Sequence, residues 1–350
     1  MNLRQVSEAA GVSTATVSRV LRGMAGVEPD TRERVMEAVA KLGYERDPHV
    51  ARAMGMIRSR SSRGVFRESL AFLSSESDPS GPKSPYWLRD LYRGATERAR
   101  LLGYSIDPMR MEEGEAFARR AARILKTRGQ RGVILTPIVP KSRPRIQLPW
   151  HELFCVEIGH TFWEPTLDRV ERSIYEDLAM GFSQLLARGY QRIGLAVRQS
   201  EEELRRWSIL AHYLVFQHRH PDLPALRPLE EGWEWTAKGF MKWFRSQKPD
   251  AIVTTNVDAQ RWLREAGVDI PGEVGVMRHD CVHEEDSGLW IDHTAMGSSA
   301  VDRVTRKIET GEIGLPLVPR CTQISHSWQE GRCLRPLLHK THIPMGWHDY

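Results

Sequence analysis

Apolar residues at Leu3, Val6 and Ala10 fall at helical spacing before Gly11-Val12-Ser13 breaks the pattern. The run Thr14-Ala15-Thr16-Val17-Ser18-Arg19-Val20-Leu21 then sets Val17, Val20 and Leu21 on one face of a second short helix. That face must bury against the first helix, which leaves Thr14, Ala15, Ser18 and Arg19 on the opposite side. Ser13 suits the N-cap of the second helix, and the amides behind it suit a phosphate. A third helix is predicted over residues 29–42. Asp30 and Thr31 stand near its start, Val35, Val39 and Leu42 form its buried stripe, and Gly43 ends it. Two helices joined by a tight turn, the second with a polar outer face, make a helix-turn-helix whose second helix can enter a major groove.

Asp47, Pro48 and Gly55 are a cap, a first-turn proline and a stop for a short helix over 47–55. A helix this short holds only against a partner, and the same segment of a second subunit on DNA is the natural one. From Leu70 onward strand and helix alternate. Strands are predicted over 70–73, 104–106, 132–136 and 153–158, with helices over 86–102 and 113–128. The scheme then restarts: helices over 177–187, 203–218, 236–245 and 259–266 alternate with strands over 192–197, 251–255 and 274–277. The predicted fold is an all-α headpiece followed by α/β, two doubly wound parallel-sheet subdomains with a cleft between them. Such sheets bind ligands at the carboxyl ends of their strands, and two side by side can hinge.

Composition sharpens the division. Tyr44 is the only aromatic residue in the first 60, whereas all 11 tryptophans lie beyond residue 80. A boundary near residues 58–68 follows. The 350 residues leave room for two or three domains, and 41% hydrophobic with 27% charged residues is the balance of a soluble globular chain. No apolar run is long enough to span a bilayer, and the N-terminus lacks a signal-peptide pattern, so a cytoplasmic protein without membrane contact is expected. Cys155, Cys281, Cys321 and Cys333 follow no paired spacing and read as free thiols. The net charge of +5 is modest, but Arg52, Arg58, Arg60, Arg63 and Arg67 cluster before Glu68, a basic connector able to follow a phosphate backbone.

The chain carries no phosphate-binding Gly-rich loop, nucleophile elbow, His-Glu-x-x-His or paired-carboxylate signature, so no enzyme, metal or cofactor is expected. His279-Asp280-Cys281-Val282-His283-Glu284-Glu285-Asp286 has zinc-type side chains at spacings that match no ligand set, and reads as a solvated acidic loop beside the cleft.

Taken together, the chain resembles the LacI/GalR family of bacterial transcription regulators over residues 3 to about 336. The most specific stretch runs from Val6 to Leu21. Thr31-Arg32-Glu33-Arg34-Val35, Leu42-Gly43-Tyr44, the turn Gly189-Tyr-Gln-Arg-Ile193 and the lead Pro271-Gly-Glu-Val274 add to it. The resemblance implies a homodimer on a pseudo-palindromic double-stranded DNA operator, acting as a repressor that answers to a small molecule, usually a sugar. Thr14, Ala15 and Arg19 take the base-reading positions, while Ser13, Thr16 and Ser18 face phosphates, Thr16 serving equally well in helix packing. Arg52 lies in the hinge helix, where an apolar side chain pries open the central base step. Met54 takes that place, with Met56 the alternate wedge because the register can slip.

For the effector, Asp280 takes the position of the family's ligand-binding aspartate, although Arg278-His279 precedes it where Gly-Tyr is common. Arg206, with Arg205 as alternative, lies near the family's ligand-binding arginine. Asp78 and Trp87, with Ser75 and Tyr86, surround the first strand's end. Asn256 and Asp258 follow a second-half strand, and Trp163 lies near a crossover. The implied division is 1–46 headpiece, 47–67 hinge and linker, 68–338 effector and dimerisation domain, and a tail 339–350 with no assigned role. The effector domain splits into 68–163 plus 292–317 and 164–291 plus 318–338. A two-lobed sugar receptor without regulatory role, or a DNA-binding regulator with a decayed cleft, are the rival readings.

Overall fold

The computed structural model describes residues 3–21, 27–43, 68–112, 114–137, 147–159, 165–229, 235–255 and 258–338. The hinge segment 47–55 with Arg52, Met54 and Met56, the basic connector up to Arg67, Tyr44, Trp163, Asn256 and the tail 339–350 lie outside them.

Three helices form the headpiece: α1 (Leu3–Ala10), α2 (Thr14–Leu21) and α3 (Pro29–Leu42). Val6, Ala10, Val17, Val20, Val35 and Ala38 bury together, with Val12, Leu21, Val39 and Leu42 packed around them. Gly11 takes the positive φ (+63°) the turn requires. Ser13 Oγ accepts the Thr16 amide at 3.1 Å, which caps α2 as the sequence suggests.

The rest is two α/β lobes. The first sheet has six parallel strands in the order β10-β5-β4-β3-β1-β2: β1 (Ser69–Ser74), β2 (Ser105–Arg110), β3 (Gly132–Leu135), β4 (Phe154–Ile158), β5 (Asp168–Arg172) and β10 (Cys321–Ile324). Side-chain alternation along β1 feeds two cores. Leu70 and Phe72 pack with Leu88, Leu91 and Ala95 of α4 (Tyr86–Leu102) and with Ala300, Val301 and Val304 of α11 (His293–Thr310). Ala71 and Leu73 pack with Phe117, Ala121 and Leu125 of α5 (Glu115–Thr127). Helices α4 and α11 cross closely, because a Cβ on Gly94 would lie 2.0 Å from the Thr294 carbonyl oxygen, and one on Gly297 2.1 Å from that of Leu91.

The second sheet, in the order β11-β9-β8-β7-β6, holds β6 (Ile193–Ala196), β7 (Ala251–Thr254), β8 (Gly275–Arg278) and β9 (Ser287–Trp290) in parallel, with β11 (Ser327–Gln329) antiparallel at its edge. Leu178, Phe182 and Leu185 of α6 (Ile174–Ala187), Tyr213 and Phe216 of α8 (Ser208–Arg219), and Met277 fill one face. Phe240 and Trp243 of α9 (Ala237–Gln247), Trp262 of α10 (Asp258–Glu265), and Val276 fill the other. The helix expected over 203–218 is broken: α7 (Gln199–Leu204) and α8 are separated by Arg206 and Trp207, both at positive φ (53° and 61°).

The subdomain division differs from the expected one. Strands β5 and β10 belong to the first sheet, so the chain crosses between lobes after Arg172 and after Ile324, not at 163 and 317. Asp168 anchors β5. Its carboxylate accepts Lys307 Nζ at 2.9 Å, Arg303 Nη2 at 3.1 Å and the Arg320 amide at 2.8 Å. Burial alone would raise its pKa. The Arg320 amide and the two cations outweigh burial and hold the carboxyl below its ordinary value.

Candidate DNA-reading surface and effector site

On α2, Thr14 and Arg19 are exposed while Val17 and Val20 are buried, so the polar face points outward as the pattern requires. Thr16 is half-buried, and its hydroxyl lies 2.9 Å from that of Ser13. Ala15 and Ser18 belong to the same helix; their side chains lie outside the described positions.

The second site lies where the sheets meet. Arg172 ends β5 and Ser173 opens α6, so this arginine sits at a crossover. Its Nε donates to Asp177 Oδ2 at 2.9 Å, its Nη2 to the His279 carbonyl at 3.1 Å, and its Nη1 approaches His279 Nδ1 at 3.4 Å. One guanidinium thus ties the end of the first sheet to α6 and to the end of β8. Burial raises the Asp177 pKa despite the Arg172 charge beside it. His279 is held well below its ordinary pKa, by burial first and then by Arg172, Arg205, His326 and Arg278. His326, between β10 and β11 at the last crossover, receives the Asp292 amide on Nδ1 at 3.4 Å. Burial pushes its pKa down to about 3.

Asp280 follows β8, and its Oδ1 has no hydrogen-bond partner among the described residues. Tyr86, in the first turn of α4 in the other lobe, stands close enough to the Asp280 carboxylate to feel its charge. Burial and that negative charge push the phenol pKa up. The Tyr86 ring meets His293 edge-on at 5.8 Å. Thr255 Oγ1, His279 Nε2 and His326 Nε2 likewise have no hydrogen-bond partner among the described residues. Buried polar atoms left unsatisfied at the strand ends of two facing sheets are what a polar ligand would complete.

The other expected effector residues are placed less centrally. Asp78 is exposed, and its Oδ1 accepts Ser80 N (3.2 Å) and Ser80 Oγ (2.6 Å), organising its own turn. Trp87 is half-buried and packs against the first-lobe core. Asp258 lies 2.7 Å from Arg261 Nη2 and 3.9 Å from Arg198 Nη2. Arg206 is exposed in the break between α7 and α8; Arg205, partly buried, is the one whose charge reaches His279. Arg172, His293 and His326 were missed from sequence, and Arg278 and His279 were noted only as departures from a pattern. In 279–286, Asp286 is buried and accepts the amides of Val282 and His283, both at 3.0 Å, so this acid organises the loop while Glu284 and Glu285 are exposed.

With this geometry in place, comparison with known proteins decides the family. The pattern for "Bacterial regulatory proteins, lacI family" matches residues 2–47, and that for "Periplasmic binding proteins and sugar binding domain of LacI family" matches residues 78–312. The chain belongs to the lacI family of bacterial regulatory proteins. It is therefore a DNA-binding transcription regulator with an effector-binding domain. The HTH-type regulator GalS of Salmonella typhimurium is 59% identical over 44 residues, 13% of either protein. The lactose operon repressor of Escherichia coli is 25% identical over 328 residues, covering 87% of this chain and 84% of that one. Among solved structures, a lac repressor dimer bound to operator and an anti-inducer superposes with a TM-score of 0.57 at 19% identity, covering 96% of this chain and 99% of that one. A CelR–cellobiose complex gives 0.55 at 18%, covering 95% and 99%. These structural likenesses carry the lacI-family fold across both lobes. No helix among the described residues is long and apolar enough to cross a membrane.

Proposed function

We propose that this regulator acts in the cytoplasm as a homodimer that represses from a pseudo-palindromic operator and leaves it, or seats on it, when a small polyhydroxylated ligand enters the cleft. The observation that carries the reading is the joining in one chain of an outward polar helix face and a crossover-bound cleft with unsatisfied buried polar atoms. Thr14, Ala15 and Arg19 read bases; Ser13, Thr16, Ser18 and Arg52 meet the backbone; Met54, or Met56, wedges the central step. Asp280 is the central effector contact, and Asp78, Trp87, Trp163, Arg206 or Arg205, Asn256 and Asp258 complete the candidate lining. The cellobiose bound to the CelR neighbour supports a sugar-like ligand.

Because Arg172, His279, Asp292 and His326 stand at or beside the crossovers, closing the lobes on a ligand changes these contacts directly. Coupling of this kind is typically about 1–3 kcal/mol and acts reciprocally on DNA and effector affinity. The test is Arg19→Ala, measured on operator and on random duplex. Loss of about 1–3 kcal/mol on operator, with relaxed preference at one base position per half-site, is expected. Equal loss on both DNAs would refute base reading by Arg19.

A further inference from the structure

Arg278 is the second departure, with His279, from the family pattern beside Asp280, and it is only 2% exposed. It closes β8, where alternation sets it on the Val276 side of the strand, opposite Met277. Its Nη2 donates to the Asp280 carbonyl at 3.3 Å, while its Nε and Nη1 have no hydrogen-bond partner among the described residues. Among the described residues Arg278 forms no ion pair: Asp177 pairs with Arg172 at 2.8 Å, and buried Asp286 accepts the amides of Val282 and His283 and the Gln260 side chain. Arg172 and Arg205 add positive charge around the same imidazole, that of His279.

A guanidinium buried without a counter-ion costs free energy, and a stable fold carries one where something else completes it. Guanidinium N–H groups match the oxygens of a carboxylate or phosphate better than those of a neutral hydroxyl. Within the cleft, Asp280 offers an acceptor for ligand hydroxyls beside these donors.

We propose that the effector is a polyhydroxylated oxyanion, a sugar bearing a carboxylate or phosphate, whose anionic group is held by Arg278. The inference rests on the effector-cleft reading above and names its ligand class. A neutral sugar would leave the Arg278 charge buried and unmatched. The anion supplies the missing partner, and the neutral histidines around it add N–H donors in the appropriate tautomer. His279 and His326 then gain a negative neighbour and bind protons more readily, so oxyanion binding strengthens as pH falls. Asp177, Asp280 and Asp292 oppose the arginines in this balance and are retained in all variants.

The experiment uses full-length wild type, Arg278→Met and Arg278→Lys. Each is melted and titrated calorimetrically with sodium phosphate and with sodium acetate against sodium chloride at matched ionic strength. Wild type should be stabilised by at least one oxyanion, and Arg278→Met should bind it at least ten-fold more weakly, with Arg278→Lys between them. The stronger of phosphate and acetate tells a phosphoryl from a carboxylate ligand. Unliganded Arg278→Met should melt at or above wild type, because it removes an unmatched buried charge; a clear fall would mark a structural arginine and overturn the proposal. Equal stabilisation of all three proteins, an adventitious ion only, overturns it, as does no oxyanion effect on wild type. A parallel arm follows operator release by glucose, gluconate and glucose 6-phosphate. Release by glucose alone would overturn the oxyanion while upholding the ligand-responsive reading. An Arg278-dependent oxyanion effect in a protein that ignores operator DNA would uphold the oxyanion site and sink the regulatory reading.

Discussion

Asp168→Asn is expected to cost about 3–5 kcal/mol of unfolding free energy, the range for removing one member of a buried ion pair. The side chains of Asp168 and Lys307 are 2% and 3% exposed, and Arg303 converges on the same oxygen. The neutral amide leaves the Lys307 ammonium inside the first lobe without its counter-charge. It also weakens the bond that holds the Arg320 amide, and with it the start of β10. The pH dependence has a fixed sign. The Asp168 pKa is lowered in the folded protein, so its contribution is full above the unfolded value of about 3.9 and fades as pH falls through the folded value. Urea unfolding at pH 7 and at successively lower pH should show the gap between wild type and variant narrowing on acidification. A variant as stable as wild type at pH 7 would show that the cluster does not hold the lobe.

Asp280→Ala is expected to weaken effector binding by about 100-fold, roughly 2.7 kcal/mol, while sparing operator affinity in the DNA-competent state. Its Oδ1 is the unsatisfied carboxylate oxygen beside the strand ends, and its charge faces Tyr86 of the other lobe. Losing it removes the open acceptor for ligand. The check is a titration of the operator complex with any compound, found in a panel of sugars and sugar acids, that alters wild-type binding. A variant responding at the wild-type concentration would move the site away from Asp280.

The headpiece and the inner strands were legible because their apolar residues recur at the periods of helix and strand, as in Val17, Val20 and Leu21 or in the run from Ala251 to Thr254. The unread elements have physical reasons. Strand β5 reads Asp-Arg-Val-Glu-Arg, and only Val170 gives it an apolar signal; its burial rests on ion pairs with Lys307 and Arg303 that no local pattern shows. Strand β10 is an edge strand with exposed residues. Helix α11 carries Gly297, Ser298 and Ser299 in its first half, which weakens the helical signal, and the crossing with α4 leaves no room for a Cβ at Gly297. The break between α7 and α8 falls on Arg206 and Trp207, neither a residue that announces a positive φ.

The site was partly legible as well. The expectation for Asp280 came from the family resemblance, whereas Arg172 and His326 come to the same strand ends only through the crossovers, because β5 and β10 return to the first sheet. The subdomain boundaries drawn at 163 and 317 missed that return, and with it the residues the return brings to the cleft.

Selection of bound sequences from random duplex DNA, using the purified full-length protein, tests the central claim most directly. A pseudo-palindrome with a central pyrimidine–purine step is the predicted result, since paired recognition helices read two half-sites and a wedge favours a flexible step between them. Enrichment of no sequence, or of a single asymmetric half-site, would contradict a dimeric operator-reading regulator.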